Sequence, residues 1–400
     1  MPSETLTARG WNRALLARQL LLERSDLDVV PAVRSLLAVQ SQSAPSAYLA
    51  LWNRLARSDL SAGGRPGVWP ELDVAYADGR LVKASLMRLT LQTVTAEDLP
   101  TLTTAMRPLL RDRLGDARFA DGGVARDEAL AAAPEFLAEL HEPRTNEQMD
   151  AWTQSRFGQH PTPSVWWAMR YLLPVAHTPT GGPWSFGQKP AFRATGHPMV
   201  DADDLDGQHR AEEQLVRRYL AAFGPATVAD IAQFTVMRRA PVTAAVARLG
   251  DELTEVAVEG VRGRFLDLAD TALARRPDPG TPAPPRLLGM WDDALLGSAD
   301  RSRTLPPAIK AAVVRRNGDV LPSLLVDGSV AGVWRVTPHG DRHRIEAHAL
   351  IPIATADWDG LEAEATALLP LLAEREPAPY ARYDHWWDKH MPSVEVRLLG

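Results

Sequence analysis

Apolar residues recur at helical spacing most clearly between about 208 and 268. AEEQLVRRYLAAF sets Leu215, Tyr219, Leu220 and Phe223 on one face of an amphipathic helix. Gly224-Pro225 stops it, Thr227 caps a short helix over VADIAQF, and Pro241 opens a third over VTAAVARL. The alternating runs ELTEVAVEG and VRGRFLDL read as two strands around a glycine turn. Three helices followed by a hairpin is the winged-helix order, whose third helix usually enters the major groove. The same order also serves protein-interaction modules, so this unit predicts a DNA surface or a protein surface.

A looser copy spans 126–195. Its helices are DEALAAAPEFLAEL, NEQMDAWTQSRF and SVWWAMRYLLPVAH, and PTGGPWSFGQKPAFRA is its Gly-rich wing. Another spans 5–95, with helices over WNRALLARQLLLER, VVPAVRSLLAVQ and SAYLALWNRLA and strands within LVKASLMRLTLQTVT. RPDPGTPAPPR is a proline-rich linker. The region 285–400 follows, with a hairpin over LPSLLVDGSVAGVWRV turning at Asp327-Gly328, a strand over HRIEAHALIPI and a helix over WDGLEAEATALLPLLAE. The Asp327-Gly328 hairpin reads either as a minor-groove probe or as the closing turn of a sheet. The aromatics of PYARYDHWWDKHM either stack on bases or dock the tail on the body. The pattern predicts an α+β fold, predominantly helical: three tandem winged-helix units (5–95, 126–195, 208–268) and a C-terminal β-hairpin and helix region.

Composition narrows the setting. A chain of 400 residues that is 45% hydrophobic builds a sizeable core. No apolar run reaches the roughly 18 residues that cross a bilayer. MPSETLTARGWNRALL lacks the pattern of a secretory signal, so a cytoplasmic protein is expected. The absence of cysteine excludes disulfides, cysteine nucleophiles and thiolate metal sites. A net charge of −6 means that any nucleic-acid surface is a local basic patch on an acidic body. Arg301, Arg303, Lys310, Arg315 and Arg316 precede the acid Asp319, and Arg217, Arg218, Arg238 and Arg239 lie in the 208–268 unit. These are candidate phosphate contacts or parts of a solvated face.

Common catalytic signatures are missing: there is no Gly-x-Ser-x-Gly elbow and no phosphate-binding Gly-x-x-x-x-Gly-Lys-Ser/Thr loop. His339, His343 and His348 spread over a loop and a strand, as surface histidines do. LLAVQSQSAPSAYLALWNRL is more unusual. An apolar helix runs into Gln40-Ser41-Gln42, Pro45 bars its continuation and Ser46 is placed to cap the next helix. The two amides then sit in a tight corner. They either bond the exposed carbonyls of the helix end or point together into one cleft.

LLAVQSQSAPSAYLALWNRL, LVKASLMRLTLQTV, RRYLAAFGPATVADIAQF and DDALLGSADRSRTLP…NGDVLPSLLVDGSVAGVW resemble, in this order, the AlkZ-like bacterial DNA glycosylases. The resemblance covers roughly 10 to 370. It implies tandem winged helices in a C-shape around duplex DNA and a Gln-hydrophobic-Gln catalytic motif, onto which Gln40 and Gln42 map. Ser41 departs from the hydrophobic middle position. Leu89 and Gln92 stand where many relatives have the glycine and histidine of Arg-Gly-Thr-Leu-His, so no role of that histidine carries over. The implied activity is monofunctional hydrolysis of the N-glycosidic bond of N7- or N3-alkylated purines in double-stranded DNA, including bulky natural-product adducts or interstrand crosslinks, in antibiotic self-resistance. It needs no metal or cofactor and suits a monomer. Arg301, Arg303, Arg238 and Arg239, with the Asp327-Gly328 turn, are the expected DNA contacts. The alternative is a non-catalytic winged-helix regulator or a drug-binding resistance protein.

The chemistry fits amides. An alkylated purine is cationic and already a good leaving group, so the site has to stabilise an oxocarbenium-like sugar and place a water. A fixed amide oxygen accepts a hydrogen from that water and turns its negative dipole toward the sugar.

Overall fold

The computed structural model describes residues 4–56, 67–158, 164–187, 189–199, 203–270, 277–389 and 391–400. Gln188 of the expected wing and Arg276 of the expected linker lie outside them.

The chain folds as α+β. Helices Leu205–Phe223, Val228–Thr235 and Arg239–Leu249 precede the antiparallel pair Leu253–Val258 and Val261–Leu268. The apolar stripe expected on the first helix is buried, and Tyr219 and Phe223 stack at 5.0 Å with Phe234 against them. Thr227 and Asp230 cap the second helix reciprocally, each side chain accepting the other's backbone N–H. Glu4–Leu6 joins this hairpin as a parallel third strand, and Trp11 packs edge-on to Phe265 at 5.2 Å.

The stretches 5–95 and 126–195 do not build separate sheets. Val39–Gln40, Leu91–Thr95, Leu81–Ser85, Val175–Thr178, Ala191–Ala194 and Arg144–Thr145 form one six-stranded sheet in that order. Its two parts meet where Lys83 pairs with His177. The last sheet has five antiparallel strands, Arg286–Leu288, Ser323–Val326, Ser329–His339, Arg342–Ala349 and Glu395–Leu399. Helix Thr355–Arg375 covers it and buries Trp358.

One core joins the ends of the chain. Tyr48 and Leu51 share a buried cluster with Leu287, Trp334 and Leu372. That shared core brings the segment after Arg286–Leu288 against the Gln40 strand and so assembles the site below. Among the described residues no helix is long and apolar enough to cross a membrane.

Candidate active site

Gln40 lies on a strand, not at a helix end. Helix Val29–Ser35 stops before Leu37, whose left-handed backbone (φ 72) turns the buried run Leu37–Val39 into the sheet. Gln40 then pairs with Gln92 on the neighbouring strand. Gln40 is only 2% exposed, whereas Gln42 is exposed. The two amides therefore do different things. Gln40 Nε2 donates to Thr90 Oγ1 at 3.1 Å, and Gln40 Oε1 accepts the Gln42 N–H at 2.7 Å. Gln42 Oε1 accepts the Leu91 N–H at 3.2 Å. Each carbonyl oxygen is held by one backbone donor and keeps a second lone pair.

Ser41 points to the opposite side, as alternation along a strand requires. Its hydroxyl meets Thr93 Oγ1 at 2.6 Å and the Val39 carbonyl at 2.9 Å, and Thr93 Oγ1 meets Tyr76 Oη at 2.5 Å. A hydroxyl fits at the centre of this motif because the facing wall is polar.

Thr90 gathers the inner side. Its hydroxyl receives Nε2 of Gln92 at 3.0 Å as well as that of Gln40, and donates to the Met87 carbonyl at 3.1 Å. The turn before it carries Arg88 and Leu89 in the left-handed region (φ 57 and 55), which side-chain-bearing residues rarely visit. Helix Val228–Thr235 packs on this turn, and Arg88 lies over Phe234.

Behind Gln40 stands Asp293, which sequence reasoning missed. Its Oδ2 accepts the Gln40 N–H at 2.7 Å, and Oδ1 lies 3.5 Å from Nη1 of Arg88. Complete burial raises its pKa to about 6 against the pull of Arg88. Its neighbour Asp292 takes both Nη atoms of buried Arg54, at 2.7 and 2.8 Å. Two acids inside the apolar run WDDALL were the available signal, since a buried acid needs a partner.

The expected DNA contacts divide. Arg238 and Arg239 are exposed where helix Arg239–Leu249 begins, with Arg238 3.6 Å from Asp112. Arg301 is partly buried near Arg88, and burial first, then that like charge, lowers its pKa. Arg303 is a correction: it is buried, not at the surface. Its guanidinium donates to the carbonyl of Trp11 at 2.9 Å and to those of Phe223 at 2.7 Å and Gly224 at 3.1 Å, the last two left open by the end of helix Leu205–Phe223.

The Asp327-Gly328 turn forms, with φ 44 and 79, and is docked on the body, with the Asp327 side chain partly exposed. Arg9 and Arg13 pair with Asp327, and Asn12 donates to the Gly328 carbonyl at 2.7 Å. The tip that projects is the next one, between Ser329–His339 and Arg342–Ala349, where Pro338 to His343 are exposed. In the tail, Trp386 donates to Asp319 at 2.8 Å, which docks it on the body.

Fold and site together define a class: an α+β protein of winged-helix units with paired amides at a sheet edge. Residues 33–371 match the AlkZ-like DNA glycosylase family, and the chain belongs to that family. It is 33% identical to an interstrand DNA cross-link repair glycosylase of Streptomyces sahachiroi over 152 residues, 35% of this chain. That match spans 40% of the relative's length. The structure of the Streptomyces sahachiroi DNA glycosylase AlkZ is similar at a TM-score of 0.75 and 21% identity, over 93% of this chain and 98% of that one. The latter likeness is one of fold.

Proposed function

We propose that the protein hydrolyses the N-glycosidic bond of cationic N7- or N3-alkylated purines in duplex DNA, including bulky adducts or interstrand crosslinks, as a self-resistance enzyme of the cytoplasm. The observation that carries this is the interlocked amide pair. Gln42 is exposed and offers a fixed carbonyl oxygen, while buried Gln40 holds the Gln42 backbone through Oε1 and is itself held by Thr90. In this mechanism the purine leaves with its own positive charge neutralised by the bonding electrons. Gln42 Oε1 accepts a hydrogen bond from the attacking water and turns its dipole toward the developing sugar cation, while Gln40 keeps Gln42 in place. Neutral amides suffice for so labile a bond and leave unmodified purines intact. Membership of the family and the cross-link repair activity named for the Streptomyces relative support the substrate class.

The test is single-turnover excision from a duplex carrying one N7-alkylguanine, read as abasic sites after alkaline cleavage. Gln42→Ala and Gln40→Ala should each lower the rate on the order of 10²-fold. Parent-like rates in both variants would refute the assignment. A regulator would retain a duplex and release no base.

A further inference from the structure

We propose that Asp293 is a positioning residue for this reaction, whose carboxylate ties the Gln40 strand to the Arg88–Thr90 turn and so holds the amide pair in place. The proposal rests on the glycosylase reading of that pair.

The two acids of WDDALL have separate tasks. Asp292 caps the helix Asp293–Leu296 by accepting the Ala294 N–H at 3.0 Å, and its ion pair with Arg54 anchors the segment in the core. Neither task needs Asp293. Asp293 faces the site, with one oxygen on the Gln40 N–H and the other toward Arg88. Asp293 Oδ1 and Arg88 Nη1 are both buried, and neither has a hydrogen bond. Fully buried charged atoms are costly to leave so. A cavity of about 10 Å³ borders Asp293, where polar Gln19, Gln40, Ser46 and Arg54 meet apolar Leu36 and Met290. A purely structural position would be served at lower cost by an apolar side chain.

What the carboxylate secures is a strained turn. Left-handed Arg88 and Leu89 store backbone strain. Neither persists unless its surroundings hold it. Arg88 is held electrostatically by Asp293, and the residue after Leu89 is Thr90, the hydroxyl on which the amides of Gln40 and Gln92 converge. Asp293 thus fixes Gln40 from two directions: through its backbone N–H, and through the turn that receives its side chain.

The charged groups facing Asp293 are Arg88 from the turn, Arg54 from helix Ala44–Arg54, and adjacent Asp292. Arg301 stands beyond Arg88. The sign of the pH dependence follows. Below its pKa of about 6 Asp293 is neutral and Arg88 loses its counter-charge, so activity should rise as pH increases through that value.

The test uses the full chain and the N7-alkylguanine duplex. Single-turnover rates are measured from about pH 5 to about pH 9, corrected for spontaneous depurination, beside the affinity for an unmodified duplex and the melting temperature. Asp293→Asn keeps the size and an acceptor but not the charge. It should lose on the order of 10²-fold in rate well above pH 6, as a small displacement of catalytic groups does, with DNA affinity unchanged and the acid limb abolished. Arg88→Met should slow the reaction, because the turn loses its tie, and shift the remaining acid limb, carried by the Gln40 N–H bond, to higher pH, because Arg88 lowers the Asp293 pKa more than the Gln40 N–H or Arg54 does; a merely structural pair would lower the melting temperature and leave the pH profile in place. Parent-like rates in Asp293→Asn overturn the proposal. So does an acid limb that survives the substitution, or a loss of rate matched by an equal loss of affinity. If Asp293→Asn does not fold, an unshifted limb in Arg88→Met overturns it alone. Gln40→Ala and Gln42→Ala in the same series separate the two ideas. If they keep the parent rate, the amide reading fails; if they lose it while Asp293→Asn does not, the positioning role alone fails.

Discussion

Ser41 shows how closely the candidate site depends on single atoms. It is buried between two glutamines, yet its side chain belongs to another network, running through Thr93 to Tyr76. Ser41→Ala should lower stability by about 1 kcal/mol, the usual net worth of one hydrogen bond. Ser41→Leu should cost more, about 1–3 kcal/mol, because an extra branched chain has to enter a closely packed polar wall. Urea unfolding of both variants beside the parent measures this. Excision rates should follow the parent for Ser41→Ala, since its hydroxyl touches neither amide. A rate loss for Ser41→Ala comparable to that of Gln42→Ala would place the hydroxyl in the reaction instead. The residue types of this motif were legible in the sequence, but their division of labour was not. Whether an amide is exposed or buried is decided by the partner strand, and Gln92 and Thr90 lie some fifty positions away, in a segment that the family resemblance marks but local spacing does not join to Gln40.

Elements with a strong local period were legible; those made by distant pairing were not. The helices and hairpin of 208–268 form as their spacing predicts, because capping by Thr227 and apolar faces are local facts. Val39–Gln40 is two residues long, too short to leave an alternating pattern, and its pairing with Leu91–Thr95 exists only once the chain is folded. The Asp327-Gly328 turn was legible as a turn, while its docking on helix Ala8–Arg18 was not, since Asn12 and Arg13 lie at the far end of the sequence. Gly328 is needed there for two reasons. Its φ is +79, and an added Cβ would fall 2.3 Å from Asn12 Oδ1 and 2.7 Å from Arg13 Nη1. Gly328→Ala should therefore destabilise the protein by more than about 1 kcal/mol, the cost of a side chain in an incompatible backbone region, plus the clash. An unchanged urea midpoint would mean that the turn is free to move, restoring it as a candidate probe of the groove.

Across the whole molecule, arginine content is a poor guide to where DNA would lie. The net charge is −6, and many arginines serve the fold. Arg18 is buried against Asp267, Arg54 against Asp292, and Arg303 among backbone carbonyls. Arg217 and Arg218 pair with Glu252 and Asp98, and Arg248 with Glu212 and Glu213. Among the exposed arginines, Arg238 and Arg239 open the third helix of the 208–268 unit and Arg342 sits at the projecting hairpin tip, element ends that a duplex can reach. The two kinds of arginine should respond oppositely to substitution. Replacing Arg238 and Arg239 together by Ala should weaken binding to damaged and undamaged duplexes alike. The slope of log affinity against log salt should fall by about 0.9 for each phosphate that the variant no longer neutralises. The melting temperature should not change, because their side chains bury little. Arg303→Met should leave that slope intact and lower the unfolding free energy by several kcal/mol, about 1–3 for each backbone carbonyl left without its donor. Salt titrations of duplex affinity and urea unfolding, run on both variants, separate the roles. A reduced salt slope in fully folded Arg303→Met would return that residue to the DNA surface. An unchanged slope in the Arg238/Arg239 variant would move the duplex path off the third helix, toward the hairpin that carries Arg342.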